Sequence, residues 1–186
     1  MAILPAVSSA MHGAMVPIAT GTAQGSASIT FNNIPQIYQD LILVSNVFIN
    51  GTNSGNNYYG IRLNSDNSGN YSNTFFSANG TAAASSRATA NNEAYASYIN
   101  PNGLTFGSSN PFTTVWHILN YRNTSAFKTI LSRSANDNNG SGETDLNVAL
   151  WSNTAAITSI STGTDNGNLT FNNSSFTLYG IRTVGQ

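Results

Sequence analysis

Apolar and polar residues alternate with a period of two along most of this chain, in short runs separated by breaks rich in Asn, Gly, Ser and Asp. A backbone that turns 180° per residue sends successive side chains to opposite faces, so such runs read as half-buried strands. Ala27, Ile29 and Phe31 alternate with Ser28 and Thr30, and Tyr59, Ile61 and Leu63 alternate with Gly60, Arg62 and Asn64. No stretch carries an apolar stripe at helical spacing. These patterns predict an all-β chain, an antiparallel β-sandwich of jelly-roll-like kind.

Residues 41–49 (LILVSNVFI) are apolar on both faces, which places them centrally in a sheet. Residues 112–121 and 127–133, joined through Asn123-Thr124, read as a hairpin. Further strands are expected at 74–77, 94–99, 146–151 and 157–162, with a last one around Phe176, Leu178, Tyr179 and Ile181. Asp165-Asn166-Gly167-Asn168 supplies a hairpin turn, since Asn-Gly tolerates positive φ. Residues 82–93 are rich in Ala and fit a helical turn or a wide loop. Residues 1–25 lack both caps and alternation and are read as an extended assembly arm, with residues 26–186 forming the sandwich. The first residues are mildly apolar but have no basic start and contain Pro5 and Pro17, so they read as an arm and not as a signal peptide. The tetrapeptide YGIR occurs at 59–62 and again at 179–182, which is read as coincidence.

Roughly two residues in five are Asn, Ser or Thr, while only 7% are charged and the net charge is −1. Such a surface has little long-range field to draw nucleic acid or anionic lipid. The six basic residues Arg62, Arg87, Arg122, Lys128, Arg133 and Arg182 stand singly, so no nucleic-acid partner is expected. No apolar run approaches the ~20 residues of a membrane span, so no membrane insertion is expected. Low net charge protects poorly against association, which suits a chain that works assembled. Aromatics are 10%, enough for a folded core. There is no Cys, hence no disulfide and no thiolate chemistry.

Candidate chemistry is sparse. His12 falls in the arm, and His117 sits mid-strand beside Trp116, where a structural or surface role is expected. Asp137, Asn139, Ser141 and Gly142 match the first half of a calcium loop, but its twelfth position is Val148 and no helices flank it. No metal, no cofactor and no catalytic residue is therefore assigned. Asp137 with Glu143 or Asp145 is the one local carboxylate pair a glycan-degrading enzyme would need. Polar loops at 50–57, 64–73 and 134–145 are rich in Asn, Ser and Gly, and Tyr58, Tyr59 and Tyr71, which border two of them, are the candidate glycan-binding residues, provided those loops gather at one end. Trp116 and Trp151 are expected in the core.

The order of several short motifs carries a resemblance. SASITFNNIPQIYQDLILV is followed by GIRLNSDNSGNYS, then HILNYRNTSAFKTILSRS, VALWSNTAAITSI and a closing SFTLYGI. Over about residues 26–182 the chain resembles small structural proteins of tailed bacteriophage virions, found in tail fibres, baseplates and capsid decoration. That resemblance implies a non-enzymatic virion protein, a homotrimer that contacts other virion proteins. Within that setting a tail fibre or receptor-binding appendage touching host-surface polysaccharide is expected, with a capsid decoration protein as the alternative and a glycan-degrading enzyme as a more remote one. The resemblance transfers no catalytic residues.

Overall fold

The computed structural model describes residues 15–50, 57–99, 110–137, 139–140, 142–165 and 169–182. Among these the secondary structure is entirely strand. In chain order the strands are β1 (Met15–Ala23), β2 (Ser28–Phe31), β3 (Asp40–Val47), β4 (Ile49–Asn50), β5 (Asn57–Leu63), β6 (Tyr71–Ala78), β7 (Ala83–Asn91), β8 (Ala94–Ile99), β9 (Phe112–Ile118), β10 (Lys128–Asn136), β11 (Glu143–Trp151), β12 (Ile160–Thr164), β13 (Thr170–Phe171) and β14 (Ser174–Ile181).

They form an antiparallel β-sandwich with unequal layers. The large sheet has eight strands in the order β1-β14-β3-β9-β10-β11-β6-β7, and the small sheet has four, β2-β12-β5-β8. β13 pairs with β4 in a separate ribbon. β3 lies between β14 and β9, in the central position that its two apolar faces predicted. β9 and β10 form the expected hairpin, with Ile118 opposite Ile130. The turn at 166–168 lies outside the described residues. The two YGIR segments fall in different sheets and do not pair.

The apolar core fills the space under β3, β9 and β14. Leu41, Leu43, Trp116, Ile118, Phe176 and Leu178 from the large sheet meet Tyr59, Ile61, Leu63 and Ile160 from the small one, all fully buried. Trp116 and Trp151 are both buried, as expected. The Tyr59 hydroxyl ties the layers together. It donates to Ser45 Oγ on β3 at 2.9 Å and accepts from Thr162 Oγ1 on β12 at 3.0 Å. Lys128 is also fully buried, and its ammonium donates to the carbonyls of Ala126 (2.8 Å) and Thr154 (3.1 Å). The abundance of Asn is used in turns: Asn33, Asn64, Asn120, Asn139 and Asn173 all sit at positive φ, which Asn accepts more readily than most residues.

Two expectations are corrected. Residues 82–93 are neither helical turn nor loop, because β7 pairs along β6 from Ala83 to Asn91. Nearly every β7 side chain is exposed, so no face had to be apolar and the alternation signal was missing. The described part of the 1–25 segment is a strand, since β1 pairs with β14 from Met15 to Ala23, with an irregularity between Pro17 and Ala19. Its Val16, Ile18 and Ala19 pack on the core. Residues 1–14 lie outside the described set.

Candidate functional site

Of the three candidate tyrosines, two are structural. Tyr59 is 0% and Tyr71 1% exposed, so neither ring face can stack on a sugar. Each sits inside a strand that begins at or just before it, and its hydroxyl finds a partner indoors. The Leu63 amide donates to Tyr71 Oη at 2.9 Å. Burial pushes Tyr59 up to about 12, against hydrogen bonds from its neighbours, and raises Tyr71 further. The loops do not gather at one end either. Residues 64–70 lie beside Trp151, since Asp66 Oδ2 accepts from Trp151 Nε1 at 2.7 Å. Asp137, Asn139, Gly140 and Gly142 lie at the other end of β11, roughly 27 Å away at the usual rise per residue. Residues 134–136 and 143–145 are strand and not loop. The segment 51–56 is outside the described residues.

Tyr58 remains. Its ring lies 3.9 Å from that of Tyr95 at 15° and 6.1 Å from that of Phe75 at 26°. Together with Ser77, Ser86, Glu143 and Asp145, Tyr58 and Phe75 border a pocket of about 260 Å³. Asp145 is buried and accepts a hydrogen bond from Ser97 Oγ on β8. Burial raises Asp145 to about 7 and raises Glu143 as well, and the two carboxyls hydrogen-bond one another. Carboxyls in such contact are too close to flank a scissile glycosidic bond, which needs ~5 Å or more between them. Asp137 follows the last rung of the β10–β11 ladder, where Asn136 lies opposite Glu143, and its carboxylate accepts from the Gly140 amide at 3.3 Å. Among the described residues no three His, Asp or Glu side chains converge on a metal position. His117 is partly exposed, with Nε2 3.4 Å from Asp40 Oδ2 on the neighbouring strand.

A wider apolar feature lies on the outer face of the large sheet. In β11 the alternation is inverted relative to a free-standing sandwich: Asp145 and Asn147 point inward, while Leu146, Val148 and Leu150 point away from the small sheet. The phase is fixed by Trp151, which the core holds. Adjacent strands continue the pattern. Leu146 sits between Phe76 on β6 and Arg133 on β10, and Val148 sits between Thr74 and Leu131. Leu131 lies beside His117, and Val115 beside Val44. Phe76 is 45% exposed, Leu146 and Val148 51% each, with Leu131 and Leu150 just below 40%. These five side chains present on the order of 400 Å² of apolar surface, the scale at which an exposed patch marks an interaction site. A groove of about 640 Å³ is bordered by Phe76, Leu131, Leu146 and Val148, with Ile42 and Val115 also on its wall.

The inward polar residues have their own work. β8 is an edge of the small sheet, and β6, β10 and β11 satisfy its backbone with side chains. Asn73 Oδ1 accepts from the Tyr95 amide at 2.9 Å, and Asn73 Nδ2 donates to the Glu93 carbonyl at 3.2 Å. Asn147 Nδ2 donates to the Tyr95 carbonyl, as does Ser132 Oγ at 3.4 Å. An otherwise unpaired strand edge is thereby closed without another strand. The sequence held a signal for the outer face: once Trp151 is assigned to the core, a period of two sends Leu146, Val148 and Leu150 the other way.

No family model matches the chain, and neither a curated protein nor a solved structure matches it.

Proposed function

We propose that this chain is a non-enzymatic structural subunit of a bacteriophage virion that works as a homo-oligomer through the outer face of its large sheet. The observation that carries the reading is the outward row of Leu146, Val148 and Leu150 with Phe76 and Leu131 beside it. A sheet face of this composition in water forfeits about 25 cal/mol for each Å² left uncovered. A second copy is the occupant argued for. With a net charge of −1, two copies meet almost without repulsion. The face extends into β7, nine residues long, exposed on both sides and carrying Arg87 as its one charge. Face and hairpin together approach the ~800 Å² per partner of a standard interface. A long edge strand with mostly small side chains, a single charge and no Pro is open to pairing with another chain, whereas Pro17 and the irregularity in β1 blunt the opposite edge.

The order of motifs that resembles phage structural proteins supports the virion setting and a trimer. Burial of Tyr59 and Tyr71 removes most of the motive for a sugar-binding loop cluster, and the apolar face favours a role in assembly. A tail appendage remains the proposed location, with capsid decoration the reading favoured should the whole face of β6, β10 and β11 prove to be covered by different virion proteins.

Sedimentation velocity of the full chain at about 10 μM tests this. The parent is expected to sediment as an oligomer, and Leu146→Glu combined with Val148→Glu as a monomer with an unchanged far-ultraviolet spectrum. A monomeric parent, or a folded variant that still assembles, overturns the reading.

A further inference from the structure

We propose that the pocket bordered by Tyr58, Phe75, Ser77, Ser86, Glu143 and Asp145 binds one pyranose unit of a neutral saccharide. It lies between the two sheets' strands, with β5 contributing Tyr58, β6 Phe75 and Ser77, β7 Ser86 and β11 Glu143 and Asp145. Its volume of about 260 Å³ accommodates one six-membered sugar ring and little more.

The lining matches the two-sided chemistry of such a ring. The rings of Tyr58 and Tyr95 stack face to face at 3.9 Å with Phe75 nearly parallel about 6 Å from both, and Tyr58 and Phe75 of this cluster give the pocket an aromatic wall. A pyranose presents a patch of C–H bonds that packs on an aromatic wall, with hydroxyls around its rim. Ser77 and Ser86 offer groups that both donate and accept, and Glu143 and Asp145 offer acceptors. Burial raises Asp145 to about 7 and raises Glu143, which favours a proton held on the pair that lets it donate as well as accept. Among the described residues no Lys or Arg lines it, so a phosphate or sulfate finds no counter-charge from them. Asp145 is fixed in place by Ser97 Oγ, so the polar wall is set before a ligand arrives.

The saccharide's source at a host surface rests on the appendage reading above, but the site itself does not. Binding is read on each subunit whatever its oligomeric state, so failure here and failure of assembly are separate results. The experiment is saturation-transfer NMR on the full chain with the methyl glycosides of glucose, mannose and galactose, and with N-acetylglucosamine. Each is used at about 10 mM, above a roughly millimolar Kd. Transfer is expected to the ring C–H protons of at least one sugar, with little change between about 0.05 and 0.5 M salt. Glu143→Gln keeps the shape of a partly exposed side chain, and Ser86→Val changes an exposed hairpin position, so both variants should fold. Each is expected to weaken binding about tenfold. No transfer to any of the four sugars overturns the proposal, as does transfer that both variants leave unchanged. Binding of tetramethylammonium in place of sugar, abolished by Glu143→Gln and by salt, would instead make this a cation site.

Discussion

Raising the pH from 4 to 8 should destabilise this protein, because its interior holds carboxyl groups that folding keeps protonated. Burial lifts Glu93 from an ordinary 4.5 to about 7, although Arg62 Nη2, 3.3 Å from its Oε2, pulls the other way. There is no slack around it: a Cβ added to Gly60 would stand 2.9 Å from Glu93 Cδ. Burial likewise lifts Asp145 from 3.8 to about 7, and raises Glu143 and Asp165. Between the ordinary and the folded values the native state binds protons that the unfolded chain has released. Stability is therefore full below about pH 4 and falls as pH rises through 7. For Glu93 the gap between 4.5 and about 7 amounts to about 3 kcal/mol, and Asp145 adds a loss of the same order. Asp66 works in the opposite sense, but outside this window. Burial pushes it up, while hydrogen bonds from Asn70, Trp151 and Ser68 outweigh that and hold it below 3.8. Urea denaturation at a series of pH values, followed by the fluorescence of the buried Trp116 and Trp151, measures the slope. Glu93→Gln should remove about 3 kcal/mol of the fall and leave the rest. Stability that is flat or rises between pH 4.5 and 8, or a Glu93→Gln variant with the parent's slope, would refute the reasoning.

The core and the first strand offer two simpler tests. Trp116→Ala and Trp151→Ala should each cost about 3–5 kcal/mol, because both indoles are fully enclosed; a melting temperature within a degree or two of the parent's would show otherwise. Deleting residues 1–25 should lower stability measurably, because it strips β1 from the β14 edge and uncovers core under Val16, Ile18 and Ala19; a truncated protein as stable as the parent would show that β1 contributes nothing to the fold.

Strands with one apolar face were legible in the amino-acid sequence, and strands without one were not. Tyr59, Ile61 and Leu63 announce β5 because burial demands an apolar residue at every second position. β7 announces nothing, since both of its faces meet solvent and Ala, Ser and Thr satisfy both. β1 hid behind Pro17, Gly21 and small residues, although its pairing to β14 is continuous apart from one irregularity. Tyr59 and Tyr71 misled for a definite reason. Proximity to a polar loop in sequence says nothing about which way a ring points, and both strands start at or before the tyrosine. The outer face was legible in principle, from the phase that Trp151 imposes on β11. What composition alone concealed is that Asn73, Asn147 and Ser132 serve the interior, where β8 needs backbone partners, so part of the polar abundance never reaches the surface.

A cryo-electron-microscopy map of the assembled protein, in its particle or as the isolated oligomer, tests the central claim most directly. The account predicts Leu146, Val148 and Phe76 of each subunit buried against a second copy of the chain, with the β7 hairpin inside the same contact. A map in which that face stands open to solvent, while copies touch elsewhere or not at all, would contradict it.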